Sequence, residues 1–276
     1  MEIGVLAMLR ENEDPLKMVH EHHFKTAQLQ SWDMSLYTDK NVEMVKQSCR
    51  ENDIRLAAFW AGYTGRCVWD PVHGPGTLGL VPADLRKQRI HDLKKGADFA
   101  AAIGAPAIIT HCGFIPESPS CLEYIPTLNA IHEVASYCQT LGIGFWFETG
   151  QETPLTLLRT IEDLNLPNLG INLDTANLIL YGRDNPVDAL DVFGKYVRNL
   201  HVKDGLFPTS GNLLGQEVPL GQGRADFDKI IPKLYELGFT GQLIIEREIA
   251  GPQQIADINM ARTFLEEKLA RYAAKQ

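Results

Sequence analysis

The chain has 276 residues, 45% of them hydrophobic and 22% charged, which is enough apolar material for a large core inside a soluble globular protein. Lys and Arg total 26 against 35 Asp and Glu, a formal net charge of -9 that repels a phosphate backbone and argues against nucleic acid as a partner. The start of the chain carries Glu2 and only a short apolar run before Arg10, unlike a secretory leader, and no stretch approaches the roughly 18 apolar residues of a membrane span, so a cytoplasmic location with no membrane contact is expected.

Short apolar, β-branched runs recur along the chain, each followed by a segment of helical period. In order, the paired runs are residues 3–7 with 15–23, 26–30 with 41–52, 55–60 with 85–103, and 107–111 with 125–141. The pattern continues with 144–148 and 154–164, 169–174 and 186–193, 197–202 and 227–237, and 243–246 and 253–273. Pro154 and Pro186 suit the first turn of their helices, and Gly142, Gly238 and Gly241 stand where left-handed caps are expected between helix and strand. Five cysteines, Cys49, Cys67, Cys112, Cys121 and Cys138, are odd in number and contain no CxxC pair, so reduced thiols are expected.

Strands alternating with helices imply parallel pairing through right-handed crossovers. Eight such units over this length predict a single (β/α)8 TIM barrel spanning residues 1–276 as one domain. A doubly wound open sheet would want a glycine-rich turn after the first strand, and Ala7-Met8-Leu9-Arg10 has no glycine. Two long connections, residues 61–82 and 205–224, are expected to form lids or contact partners.

Barrel enzymes place their chemistry where the strands end. The fourth run ends in His111, the fifth in Glu148, the sixth in Asp174, the seventh at His201 and the eighth in Glu246. One acid closing an apolar strand reads as readily as a helix cap or a surface pair. Three converging on one rim repel one another unless a cation lies between them, so a divalent metal ion is expected, held by Glu148, Asp174, His201 and Glu246. Three hard oxygens and one imidazole suit Mn²⁺, Mg²⁺ or Co²⁺ and leave zinc open.

The stretches Phe147-Glu148-Thr149-Gly150, Asn172-Leu173-Asp174-Thr175-Ala176-Asn177, His201-Val202-Lys203-Asp204, Leu220-Gly221-Gln222-Gly223 and Ile245-Glu246-Arg247-Glu248 resemble the xylose-isomerase-like barrel superfamily, in particular its ketose 3-epimerase, hydroxypyruvate isomerase and inosose-processing branches. The resemblance covers nearly the whole chain. It implies the same four metal ligands, with Glu148 and Glu246 doubling as the acid/base pair, and a homo-oligomer, dimer or tetramer. The sequence departs from the superfamily at Asn177, where many members carry histidine, and at Gly205-Leu206-Phe207, where the epimerases carry an arginine.

The expected chemistry is isomerisation or epimerisation of a small ketose or keto-sugar. The metal would acidify the proton α to the carbonyl and stabilise an enediolate, while one glutamate removes that proton and the other returns it. Dehydration of a keto-inositol or keto-acid at the same site is the alternative. An abasic-site endonuclease is disfavoured by Asn177 and the acidic charge, and a non-catalytic sugar-binding protein by the intact ligand set. Substrate contacts are expected from His111, Asn177 and Lys203, the last sharing strand parity with His201. Trp60, with Trp32 and Trp69, offers a face for a sugar ring. Arg224, with Gly221 and Gly223, is a candidate phosphate contact, set against an Asp226-capped helix start in the same stretch.

Overall fold

The computed structural model describes residues 1–273. The chain opens with β1 (Glu2–Met8), α1 (Lys17–Glu21), β2 (Thr26–Ser31), α2 (Asp39–Asn52), β3 (Arg55–Ala61), α3 (Ala83–Ile103), β4 (Ala107–Thr110) and α4 (Tyr124–Thr140). It continues through β5 (Gly144–Glu148), α5 (Pro154–Leu164), β6 (Leu169–Asp174), α6 (Asn177–Leu180), α7 (Pro186–Phe193) and β7 (Val197–Val202). A hairpin, β8 (Asp204–Leu206) and β9 (Gln216–Val218), precedes α8 (Phe227–Glu236), β10 (Gln242–Ile245) and α9 (Pro252–Ala273). Eight parallel strands close in the order β1-β10-β7-β6-β5-β4-β3-β2, a single (β/α)8 barrel as the strand–helix alternation predicts. Among the described residues no helix is long and apolar enough to cross a membrane.

Successive strand residues point to opposite faces, and the buried side chains divide accordingly. Phe59, Phe145, Phe147, Leu173 and Leu200 belong to the large core shared with helix residues such as Leu93, Val134 and Ile161. The alternate residues Ala58, Trp60, Ile109 and Trp146 form a separate small cluster inside the barrel. The same parity sends Gln28, Asn172, Asp174, Asn199 and His201 inward, all fully buried. The barrel interior is therefore apolar beside β3 to β5 and polar beside β2, β6 and β7.

Local signals account for several boundaries. Thr153 and Asn185 cap their helices through side-chain oxygens, with Pro154 and Pro186 at the helix starts. Gly142 and Gly238 take positive φ as expected. Gly241 does not; a Cβ there would stand 2.2 Å from the Arg198 carbonyl, so it is close approach of backbone that demands glycine. Asp226 precedes α8 at φ 53° but makes no capping hydrogen bond, and its carboxylate pairs with Lys229 at 2.9 Å instead. The first helix is shorter than expected. All five cysteines are unpaired.

The two long connections are each built around one buried charge. In residues 61–82 the guanidinium of Arg89, fully buried, donates to the carbonyls of Gly79 (2.7 Å), Thr64 (3.1 Å) and Arg66 (3.1 Å) and lies 4.4 Å from the Tyr63 ring centre. After β7 the Asp204 carboxylate accepts from the amides of Gly205, Gly221, Gly223 and Ala225 at 2.9–3.0 Å.

Replacing Arg89 by Met leaves three carbonyls without their donor, each worth about 1–3 kcal/mol if it stays dry. Urea denaturation is expected to show a loss of about 3–5 kcal/mol. A loss below about 1 kcal/mol would mean water reaches those carbonyls and the loop does not depend on Arg89.

Candidate metal centre

Glu148 ends β5, Asp174 ends β6, His201 is the penultimate residue of β7 and Glu246 follows β10 directly. Register places Asp174 opposite His201, and His201 opposite Ile244, two residues before Glu246. One ligand atom from each of the four lies within 4.8 Å of the others. Donor atoms gathered this closely could share one divalent ion. His201 Nδ1 faces the acids, at 2.9 Å from Glu148 Oε1, 3.0 Å from Glu246 Oε2 and 3.9 Å from Asp174 Oδ2.

Three of the four are held from behind. Asp174 Oδ1 accepts from the amides of Ala176 (2.7 Å) and Asn177 (2.8 Å), and its Oδ2 accepts no hydrogen bond from any described residue, leaving a buried oxygen aimed at the cluster. Lys203 Nζ stands 3.0 Å from that oxygen, out of line for a hydrogen bond but close enough for a strong ionic attraction. Glu148 Oε2 accepts from the Trp60 indole. The other oxygen of Glu148 receives the Asn177 amide at 3.5 Å and has His111 Nε2 3.7 Å away. Behind the imidazole, the Gln28 amide is 2.6 Å from His201 Nε2.

These charges reset one another's protonation. Burial pushes the Glu148 carboxyl up, but His201 and His111 beside it win and hold it below the ordinary carboxylate value. Burial acts likewise on Glu246, and there Lys203 and His201 outweigh it. Asp174 is pushed up to about 7 by burial, against the pull of Lys203. Burial works against a charge on His201, yet Glu148 and Glu246 hold its ring well above the usual imidazole range. His111 goes the other way: burial dominates and lowers it. A buried set of three carboxylates and an imidazole, compensated by borrowed protons and one lysine, fits a divalent cation.

The structure brings His111, Asn177, Lys203 and Trp60 to this cluster but gives two of them different surroundings from those expected. Lys203 is 2% exposed and its ammonium bridges Asp174, Glu246 (3.4 Å) and Glu248 (3.0 Å), so it faces carboxylates and not open solvent. Trp60 is buried, with its N–H committed to Glu148, and Trp32 and Trp69 supply the more exposed rings of the aromatic wall. Arg224 stays apart: it is exposed, and none of the cluster's hydrogen bonds or ion pairs involves it. The amides of Gly221 and Gly223 already hold the Asp204 carboxylate, which fills the nest a phosphate would need. A cavity of about 1040 Å³ opens beside Glu246, lined by Met8, Arg10, Trp32, Arg247, Glu248 and Gln254 among others. Gln28 and Glu152 are buried polar residues that sequence reasoning missed; burial lifts the Glu152 carboxyl to about 8. Thr26-Ala27-Gln28-Leu29 alternates like a strand with a wet face, and only barrel closure makes that face interior.

A family model described as "Xylose isomerase-like TIM barrel" matches residues 16–268. A xylose isomerase domain protein from Planctomyces limnophilus superposes with a TM-score of 0.93 at 34% identity, covering 99% of both chains. The inosose dehydratase of Geobacillus kaustophilus is 28% identical over 56% of this chain and 56% of its own length. The ketose 3-epimerase of Arthrobacter globiformis is 28% identical over 56% of this chain and 53% of its own length, so each alignment spans about half of the relative.

An ion bound at His201 Nδ1 must displace the proton that Glu148 and Glu246 stabilise there. Below the raised pKa of the ring that proton competes, so Mn²⁺ affinity is expected to fall as pH falls, with protons released on binding. Calorimetry in two buffers of different ionisation enthalpy reads both. Asp174→Asn should cut occupancy sharply while circular dichroism stays native. Full occupancy in that variant would remove Asp174 from the ligand set.

Proposed function

This chain belongs to the xylose isomerase-like TIM barrel family, and from that premise we propose that it is a divalent-metal-dependent isomerase or epimerase of a small ketose or keto-sugar. The observation that carries the reading is the convergence of Glu148, Asp174, His201 and Glu246 within 4.8 Å at the strand ends, beside a cavity large enough for a sugar. The half-length similarity to a ketose 3-epimerase supports the substrate class. Mn²⁺, Mg²⁺ and Co²⁺ match the oxygen-rich donor set.

A divalent cation held by these four residues would act as a Lewis acid on a substrate carbonyl and make the neighbouring C–H bond more acidic. The protein supplies the rest. Glu148, kept ionised by its histidine neighbours and aimed by the Trp60 N–H, is a base with a fixed direction. Glu246 approaches from three strands away and keeps 11% of its side chain exposed at the cavity, where the Lys203 ammonium at 3.4 Å helps hold it ionised. Removing the α-proton with one glutamate and returning it on the opposite face with the other inverts the centre. Returning it to the adjacent carbon interconverts ketose and aldose. His111 and Asn177, close to Glu148, are placed to hold substrate oxygens.

A dehydratase is the second reading, favoured by the similarity to inosose dehydratase and by the buried ammonium of Lys203, which is in position to protonate a departing hydroxyl after the same α-deprotonation. Incubating the Mn²⁺-loaded protein with ketoses, keto-acids and inososes in D₂O separates the two: epimers or aldoses with deuterium at carbon for the first, water loss for the second. Deuterium uptake from none of these substrates would overturn both.

Glu148→Gln and Glu246→Gln, measured at saturating metal, are each expected to lower kcat by about 10²–10⁴-fold. The double variant should be little worse than either single one. A single variant retaining one base should still exchange the α-proton with solvent while failing to invert the centre. Undiminished turnover in Glu246→Gln would move the base elsewhere, with Glu248 and His111 next in place.

A further inference from the structure

Directly beneath the four candidate ligands lies a chain of buried amides. Gln28 on β2 touches His201 Nε2 at 2.6 Å, Asn199 Nδ2 lies 3.0 Å from Gln28 Oε1, and the same Nδ2 donates to Asn172 Oδ1 at 2.7 Å. All four residues are fully buried. Asn199 Oδ1 and Asn172 Nδ2 have no hydrogen-bond partner among the described residues.

The direction of this chain is tied to His201. As it stands, the NH₂ of Gln28 faces Nε2, which can accept only if that nitrogen carries no proton, while Nδ1 points at the three carboxylates. An ion on that side needs the Nδ1 lone pair, so the proton must sit on Nε2 and find an acceptor. The two ends of an amide are nearly the same shape, so direction follows from partners. Turning all three amides over meets the demand: Gln28 Oε1 accepts from Nε2–H, Gln28 NH₂ donates to Asn199 Oδ1, and Asn172 NH₂ donates to the same oxygen. Either direction makes the same number of hydrogen bonds and leaves two amide atoms unpartnered, so the tautomer of the ring and the direction of the chain select each other.

We infer that Gln28, backed by Asn199 and Asn172, is a positioning residue that holds His201 with Nε2–H as donor and Nδ1 free for the metal. The inference rests on the metal reading proposed above. It assigns a task to a polar layer that packing alone does not explain, since apolar side chains at positions 28, 172 and 199 would fill the same space without unpartnered amide atoms.

The test is Mn²⁺ affinity, read by the EPR signal of free Mn²⁺, together with Tm, in wild type, Gln28→Met and Gln28→Glu. Loss of the supporting group is expected to weaken Mn²⁺ binding about 10–100-fold in Gln28→Met. Gln28→Glu, which keeps an acceptor for Nε2–H, should bind within about threefold of wild type or tighter. A purely structural role predicts the reverse order, because Glu buries a charge and Met does not. Equal affinity in wild type and Gln28→Met overturns the inference, as does affinity that simply follows Tm across the variants. Wild type that binds no Mn²⁺ overturns the metal reading itself and the inference with it. A measurement on wild type stands whether or not the variants fold: two-bond ¹H–¹⁵N correlation of histidine-labelled, Mg²⁺-loaded protein should find the His201 proton on Nε2 and slow to exchange. A proton on Nδ1 in that state would sink the relay.

Discussion

The rest of the molecule is arranged around one electrostatic problem: three carboxylates, Glu148, Asp174 and Glu246, brought within a few ångströms of each other at a barrel rim where two of the three are almost fully buried. An isolated buried carboxylate is several kcal/mol unfavourable even after relaxation, and three together repel. The chain answers with cations and donors. His201 and Lys203 reach from β7 and the residue just beyond it, one to the centre of the cluster and one to its edge. The backbone amides of Ala176 and Asn177 hold one oxygen of Asp174, and the Trp60 indole one oxygen of Glu148. None of these donors removes the net excess of acid, which is why burial still lifts Asp174 to about 7.

That arrangement asks for rigidity around the rim, and the long connections supply it through buried charges instead of through apolar packing. Arg89 gathers three carbonyls of the β3–α3 connection beneath Tyr63, and the same connection carries Trp69 against His111 and Trp32. Asp204, the residue after Lys203, gathers the amide of its neighbour Gly205 and three amides of the segment that returns from the β8–β9 hairpin. A side chain at Gly223 would meet Asp204 Oδ1 at 2.1 Å, so the glycine there serves the carboxylate's approach. Arg247, next to Glu246, joins Glu217 of β9 and Asp257 of α9, linking the hairpin to the last helix at 2.9 Å and 2.7 Å.

The barrel and the four converging residues were legible because both follow from periodicity. Eight apolar runs separated by helical segments define the strands, and parity sends His111, Glu148, Asp174, His201 and Glu246, at or near the ends of their runs, inward. What was not legible depends on who faces whom across the closed sheet. Lys203 reads as a substrate contact until β6 and β10 are placed beside β7, which puts Asp174 and Glu246 on either side of it. The glycines at 221 and 223 read as a phosphate turn until the Asp204 carboxylate, nearly twenty residues earlier in the chain, is found in it. Gln28 lies 173 positions from His201, and no local pattern announces their contact.

Lys203 also constrains how an ion would enter. Its ammonium stands 3.0 Å from the one Asp174 oxygen that accepts no hydrogen bond, and Asp174, Glu246 and Glu248 hold its pKa well above the ordinary lysine value against the effect of burial. A divalent ion that takes the same oxygen brings two charges to where one sits now, so the ammonium must give way. Glu248, with 59% of its side chain exposed and 3.0 Å from Nζ, lies on the outward side and can receive it without breaking the strand.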